Sequence, residues 1–401
     1  MQTPSQAQKN KYWFVLGRES LIAAAEISAV LNNFKYEFKI PILKTEDKID
    51  PKILINRLGG TIKIAEEILD DASDEEVINT IVAELKTVEG KINFGISMYG
   101  DELQRGALIT ETKKLGLKIK KILKNEKYSV RYVENREPVL SSVTVEKNGL
   151  TARGREFLIS VPANGKNYSA AVTRAVQPFE EFSLRDYGRP GRDDASGMLP
   201  PKLAMMMINI SKCPKAGVLL DPFCGSGTII TEAMLLGFKK LSGSDISDKA
   251  IEDCKKNIEW ISGRNKTVID YAVPEIYQLD VNKLTEKKSS GSVGAIVTEP
   301  FLGKPLRGGE TKMMIVAQIE ELKKLYLEAF RQFYKILKPG GIVNFIIPRF
   351  RLGNDWIRID CENEIKKIGF ETEKLFENYT SLLYARPDQR VGREIWMFRK
   401  I

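Results

Sequence analysis

Gly217-Val218-Leu219-Leu220-Asp221-Pro222-Phe223-Cys224-Gly225-Ser226-Gly227-Thr228 is the stretch that decides how this chain folds. Its first five residues read as a short buried strand, the next six as a loop, and Thr228 opens a helical pattern. Gly225 and Gly227 carry no Cβ and tolerate positive φ, so strand, loop and helix in this order let backbone approach a ligand closely. The segment reads as a nucleotide-type cofactor loop. A lone Gly-x-Gly would serve a dinucleotide fold as well, but where that fingerprint needs a third glycine this chain has Ile230.

Two further signals follow downstream. Leu241-Ser242-Gly243-Ser244-Asp245 closes a second strand on an acid, and an ionised carboxylate there can accept from both hydroxyls of a ribose. Ala295-Ile296-Val297-Thr298-Glu299-Pro300-Phe301-Leu302-Gly303 then ends a later strand. In this order the three signals read as an S-adenosylmethionine-dependent methyltransferase acting on an amino nitrogen. Asp221 would accept from a cofactor amino group or hold a water beside the sulfonium, and Gly225 and Gly227 would clear space for the methionine part. Phe223, Thr228, Ile246 and Val281 complete the expected cofactor set. Asp280, after the third-strand region, has two readings: a partner for the adenine amino group, or a helix N-cap.

The third signal carries the transfer chemistry. An exocyclic amine on a base is a poor nucleophile, because its lone pair is delocalised into the ring. Two acceptors aimed at its N–H groups favour a pyramidal nitrogen, and the Glu299 carboxylate and Pro300 carbonyl are read in those roles. Phe301 is expected to stack on the base and hold it in line with the methyl group. The proton leaves to Glu299 or to water, so no histidine is required.

That matters, because the 401 residues include no histidine. Zincin, His-triad and His-phosphotransfer mechanisms are thereby excluded. The four cysteines, Cys213, Cys224, Cys254 and Cys361, show no Cys-x-x-Cys spacing, so neither a zinc site nor a disulfide framework is indicated, and a reducing cytoplasm fits. No metal is expected. Cysteine attack at a pyrimidine C5 would need a thiol in the Glu299 loop, and none is there; Cys224 reads as a small buried filler. The formal net charge of +9 is compatible with a polyanionic partner and equally with solubility alone. A polar leader from Met1 to Lys11 and no apolar run of spanning length predict a cytosolic protein without a membrane partner.

Upstream of the core, Tyr12 to Gly17 reads as a strand and Leu21 to Leu31 as a helix with Ser20 as N-cap. Gly60 to Ile68 is strand-like, Glu75 to Leu85 helical, and Lys91 to Met98 a strand. These short mixed elements suggest small α+β units rather than one large sheet. Gly106 to Lys124 reads as a helix whose polar side carries Lys113, Lys114, Lys118, Lys120, Lys121 and Lys124: a solvated face, or a phosphate-binding one. Leu140–Leu150 and Thr151–Val161 are expected as two strands of a hairpin turning at Asn148-Gly149. Pro162 to Asn167 reads as a boundary loop, and Phe179 to Pro201 as a linker into a helix at 202–211. From residue 217 the pattern alternates: strands at 217–221, 240–245, 267–271, 293–298 and 341–347, with helices at 228–237, 248–262, 315–337 and 360–368. That predicts a doubly wound parallel sheet. Glu371 to Asn378 and Glu394 to Arg399 would add a terminal antiparallel hairpin.

At this point the chain resembles the THUMP-associated RNA methylases that make N2-methylguanosine in tRNA. Asp221-Pro222-Phe223-Cys224-Gly225-Ser226-Gly227-Thr228 is a near-complete match to their core pattern. Arg185-Asp186-Tyr187 through Gly197-Met198-Leu199-Pro200-Pro201-Lys202-Leu203-Ala204 is similar to the segment lying over the cofactor in that family, which places Met198 in the cofactor set. Phe14 to Gly17, Ala25-Glu26-Ile27 and Ser141 to Ile159 resemble its N-terminal and THUMP portions. One departure stands out: the family's transfer loop is usually Asp-Pro-Pro-Tyr-Gly, against Glu299-Pro300-Phe301-Leu302-Gly303 here.

The resemblance implies an α/β protein: a Rossmann-like class I methyltransferase sheet with a C-terminal antiparallel hairpin at 201–401, a linker and cofactor-covering segment at 166–200, and an α+β region with a THUMP-like RNA-binding part at 1–165. It implies tRNA as partner, guanine N2 as acceptor and S-adenosylmethionine as cofactor. Lys113, Lys114, Lys118, Lys121, Lys304 and Arg307 are then candidate RNA contacts, with Arg349 and Arg351 also flanking the predicted sheet edge. Adenine N6 in DNA or RNA is the rival acceptor, and an inactive RNA-binding protein the rival class. Oligomeric state is not readable.

Overall fold

A computed structural model describes residues 11–37, 40–161, 167–192, 197–264 and 273–401. Its contacts divide the chain into two units, the described residues of Met1–Ala24 and Leu31–Glu180 in one, and those of Ala25–Val30 and Glu181–Ile401 in the other. The expected leader (except Lys11), the strand at 267–271 (with part of its flank) and most of the 162–167 loop lie outside the described residues.

The first part of the chain runs β1 (Tyr12–Leu16), α1 (Ser20–Val30), β2 (Phe34–Glu37), β3 (Ile42–Thr45), α2 (Pro51–Leu54), β4 (Thr61–Ala72), α3 (Asp74–Lys86), β5 (Ile92–Tyr99), α4 (Arg105–Asn125), β6 (Val130–Val133), α5 (Ser142–Lys147), β7 (Arg155–Ser160) and β8 (Tyr168–Val176). The strands form one eight-stranded sheet in the order β2-β3-β1-β4-β8-β7-β5-β6. This corrects the expectation of small separate units. The twelve-residue β4 pairs with β1 on one side and β8 on the other, through three register shifts on the β8 side, and so joins what read as separate pieces. β8 also shows that the expected linker at 166–200 begins inside this sheet.

The expected Asn148-Gly149 hairpin is also corrected. Ser141 accepts from the Thr144 N–H and starts the helix α5, Asn148 caps its end, and Gly149 leaves it at φ 62°. Asn-Gly serves helix C-termini as well as type I′ turns, and the N-cap three residues before Thr144 tips the choice toward helix. Beneath the sheet, Lys63 and Glu156 form a fully buried ion pair at 2.5 Å. Lys63 also donates to the Leu140 carbonyl, and Ser97 and Thr173 donate to the two Glu156 oxygens.

The second part holds α6 (Phe179–Tyr187), α7 (Pro201–Ile210), β9 (Val218–Asp221), α8 (Thr228–Leu235), β10 (Lys240–Asp245), α9 (Asp248–Arg264), β11 (Glu275–Gln278), β12 (Val293–Thr298), α10 (Lys312–Ile336), β13 (Leu337–Leu352), β14 (Asp355–Arg358), α11 (Glu362–Ile368), β15 (Phe370–Thr372), β16 (Ser381–Tyr384) and β17 (Val391–Lys400). The segment read as a linker thus contains α6. Strand order is β11-β10-β9-β12-β13-β17-β15, with β14 on β13 and β16 on β17. β11 to β13 run parallel, and β17 enters antiparallel between β13 and β15. This is the Rossmann-like sheet with an antiparallel end that the sequence pattern predicts. The four-residue strands β11, β14 and β16 were not anticipated. Phe330 anchors one face of the sheet, edge-on to Phe345, Phe370 and Phe398 with ring centroids 5.2 Å apart in each pair.

Candidate active site

The carboxyl ends of β9, β10 and β12 open into a cavity of about 720 Å³, at the place where a doubly wound sheet binds its ligand. The first wall is the loop after β9. Asp221 is buried, accepting from Thr298 Oγ1 at 2.6 Å and from the Phe223 N–H at 3.2 Å. Burial pushes its carboxyl up to about 7, with Asp245 and Glu299 adding to the rise and the two hydrogen bonds opposing it. Gly225 turns at φ 49° and Gly227 at φ 85°, after which α8 begins at Thr228.

Phe223, Gly225, Thr228, Asp245, Ile246, Asp280, Val281 and Met198 all line the cavity, as do Glu299, Pro300 and Phe301. Gly227 alone of the expected cofactor set does not. A Cβ there would lie 2.5 Å from Cys254 Sγ, so this glycine is needed for α8 to close onto α9 rather than to admit a ligand. Asp245 accepts from the N–H groups of Gly225 and Ser247. Asp280 accepts from the Asn282 N–H as an N-cap, and it also lines the cavity.

A strap holds the first wall from outside. Arg185 pairs with buried Glu232 at 2.7 Å and lies over the Phe182 ring. Arg189 donates to Thr228 Oγ1 at 2.5 Å. Asn257 accepts from the Gly191 N–H and donates to the Gly191 and Ser226 carbonyls, each at 2.8 Å. Thr228 was an expected cofactor residue, and Arg185 and Leu199 lie in the segment that resembles the family's cofactor cover; Glu232 and Asn257, like Lys249 and Leu279 inside the cavity, were not among the sequence candidates.

The opposite wall is the loop after β12. Glu299 Oε1 accepts from Arg393 Nε at 2.5 Å, and the other arm of Arg393 donates to the Gly197 carbonyl at 2.9 Å. Burial raises the Glu299 carboxyl, and the guanidinium pulls it back. Tyr326 donates to the Phe301 carbonyl at 2.7 Å, and Gln318 accepts from the Lys304 N–H at 3.0 Å, so the loop backbone is fixed at two more points. Phe301 itself is 58% exposed, which leaves its ring free to meet a planar ligand.

The cationic candidates are not gathered in this cavity. Lys304 and Arg307 are exposed beside it without lining it. Arg349 is committed to buried Glu394, and Arg351 to the carbonyls of Pro387 and Gly353. Lys113, Lys114, Lys118 and Lys121 project from the exposed side of α4, where Lys113 approaches Glu134 at 3.5 Å and Lys114 approaches Glu111 at 3.8 Å.

The chain is similar to several known proteins. A tRNA (guanine(10)-N2)-dimethyltransferase of Methanothermobacter thermautotrophicus is 30% identical over 154 residues, 38% of this chain and 40% of that protein. A protein of the same name from Methanocaldococcus jannaschii is 25% identical over 356 residues, 83% of this chain and 90% of its own. This chain therefore spans under half of the first relative and nine-tenths of the second. The crystal structure of TrmN from Thermus thermophilus shares the fold at 15% identity, with a TM-score of 0.55 over 98% of this chain and all of that one. A DNA methylase family, N6_N4_Mtase, matches residues 107–256, which stop short of the Glu299 loop. Residues 189–358 match UPF0020, described as RMKL-like, methyltransferase domain, and this match takes in both walls of the cavity. Over residues 189–358 the chain is thus similar to the UPF0020 family of RMKL-like methyltransferase domains.

Proposed function

We propose that this protein transfers a methyl group from S-adenosylmethionine to the exocyclic N2 of a guanine in tRNA. The observation that carries the reading is the joining, in one cavity, of the Asp221 and Asp245 strand ends with the Glu299-Pro300-Phe301 loop. The two relatives compared above bear the name of such an enzyme.

The residues fit the cofactor. Asp221 and Asp245 offer negative charge and acceptors for a cationic amino acid head and a ribose, and Gly225 keeps the loop close without a side chain. When bound, S-adenosylmethionine supplies an electrophilic methyl on sulfur. Everything else falls to the chain. Oε1 of Glu299 is taken by Arg393, while Oε2 has no hydrogen-bond partner among the described residues and is the acceptor open to an amino N–H. The Pro300 carbonyl is the second acceptor, and Phe301 stacks on the base.

In this reading the α+β unit is the THUMP-like RNA-binding part, with the α4 lysines on phosphates, and the protein works in the cytoplasm. No helix among the described residues is long and apolar enough to cross a membrane. The test is incubation with labelled S-adenosylmethionine and unmodified tRNA, then nucleoside mass analysis. N2-methylguanosine from wild type, and its loss in Glu299→Gln with cofactor binding retained, is the expected outcome. N6-methyladenosine in its place would sink the guanine assignment.

A further inference from the structure

We propose that Arg393 is a positioning residue for the transfer loop: its guanidinium, buried between Glu299 and the Gly197 carbonyl, keeps the Glu299 carboxylate charged and turned so that Oε2 is left to the substrate amine. The inference rests on the function proposed above and adds a residue that no motif in the chain announces.

The geometry gives Arg393 two fixed ends. It stands on β17, in register with Pro348 of β13 and Tyr384 of β16, so its backbone is held on both sides by the sheet. Its Nε meets Glu299 Oε1 at 2.5 Å, and its terminal nitrogen meets the Gly197 carbonyl at 2.9 Å. Both partners line the cavity, yet Arg393 does not. An arginine that is 7% exposed and lies behind the wall cannot meet the reacting atoms, and it acts only through the residues it holds.

Glutamate in this place needs such a partner for two reasons. Its extra methylene gives it one more rotatable bond than aspartate, and a single-point contact on one oxygen removes that freedom while leaving the other oxygen open. The carboxylate is also nearly buried, where an unpaired charge is expensive and the group would neutralise instead. A protonated Glu299 would present a hydroxyl on one oxygen and lose acceptor strength just where positive charge develops on nitrogen.

The charged and titratable groups facing this pair come from every element packed on it. Asp221 at the end of β9 adds negative charge, Tyr326 of α10 stands near Glu299, and Tyr384 of β16 stands near Arg393. Arg393 is the one cation that pairs with Glu299 among the described residues. Removing it therefore leaves only groups that oppose ionisation.

The experiment compares wild type, Arg393→Met and Arg393→Gln, with cofactor binding and circular dichroism as checks that each variant is folded. With S-adenosylmethionine and unmodified tRNA, kcat near neutral pH should fall by about 100-fold in both variants. The acid limb of the kcat profile should move up by about 1 to 3 pH units, so that activity partly returns on raising the pH. A variant that lost only packing would keep the wild-type limb, and an unmoved limb in both variants overturns the proposal. A second measurement uses no substrate: infrared difference spectroscopy for a protonated carboxylic acid near neutral pH. The band should appear in Arg393→Met and vanish in Arg393→Met/Glu299→Gln; a single variant without it also overturns the proposal. Should wild type fail to methylate tRNA, the functional reading falls on that result alone, and the infrared comparison still decides what Arg393 does to Glu299.

Discussion

Replacing Asp221 with asparagine should stabilise the protein while disabling it, and the size of the gain follows from burial. Without cofactor, the Asp221 carboxyl is carried from the ordinary 3.8 to about 7. A carboxyl raised in the folded state contributes stability that is fully present below the unfolded value and is lost as pH rises through the folded one. With about 1.36 kcal/mol per unit, the penalty in wild type is about 1.6 kcal/mol near pH 5 and about 4 kcal/mol near pH 8. Asparagine keeps an acceptor for Thr298 and Phe223 but has no charge to desolvate. The advantage of Asp221→Asn over wild type should therefore grow by about 2.5 kcal/mol between those two pH values. Urea unfolding followed by tryptophan fluorescence reads this, because Trp260, Trp356 and Trp396 all lie in the second unit. An offset that is the same at both pH values would mean that Asp221 is ionised at its usual value, and the argument from burial would fail. The same linkage predicts that a cationic cofactor binds more tightly as pH rises through about 7, releasing a proton on the acid side.

Gly227→Ala places a Cβ 2.5 Å from Cys254 Sγ at φ 85°, so thermal unfolding should show a loss of about 3 kcal/mol, and Cys254→Ala in the same chain should recover part of it. Lys63→Met leaves the Glu156 carboxylate buried without its cation and should destabilise the eight-stranded sheet by about 3–5 kcal/mol; the double variant with Glu156→Gln should lose less, and equal losses would refute the pair's role. Lys118→Glu/Lys121→Glu should weaken tRNA binding at least tenfold at about 0.1 M salt and flatten its salt dependence, whereas unchanged binding would make that side of α4 a solvated face.

The second unit was legible because its signals are local. A strand, a turn that needs glycine and a helix follow one another within twelve residues, and each leaves a pattern in its own stretch. The acid at 245 and the loop at 299 are legible for the same reason, since sheet topology brings strand ends together without further specification. What escaped depends on distance along the chain. Arg393 meets Glu299 across 94 residues, from near the start of an otherwise ordinary strand. β4 finds β8 about a hundred residues later, so two neighbouring α+β patterns gave no sign of a shared sheet. Asn148-Gly149 was misread because one dipeptide ends helices and turns hairpins, and the deciding hydrogen bond is made by Ser141. Gly227 was read as clearance for a ligand when the neighbour it must clear is Cys254 on another helix.

The place of β17 in its sheet bears on how the protein is made. β13 exposes one edge until β17 pairs with it, and residues 341–348 of β13 are all buried in the finished fold. During synthesis that apolar edge emerges from the ribosome some forty residues ahead of its partner, along with the equally unpaired β15. The nascent chain thus passes through a stage with a long sticky strand open to any neighbouring chain, the feature that seeds aggregation. Yield in a heterologous host should then be governed by how fast residues 391–400 arrive, and synonymous codons that slow translation just before them should send more of the product into inclusion bodies.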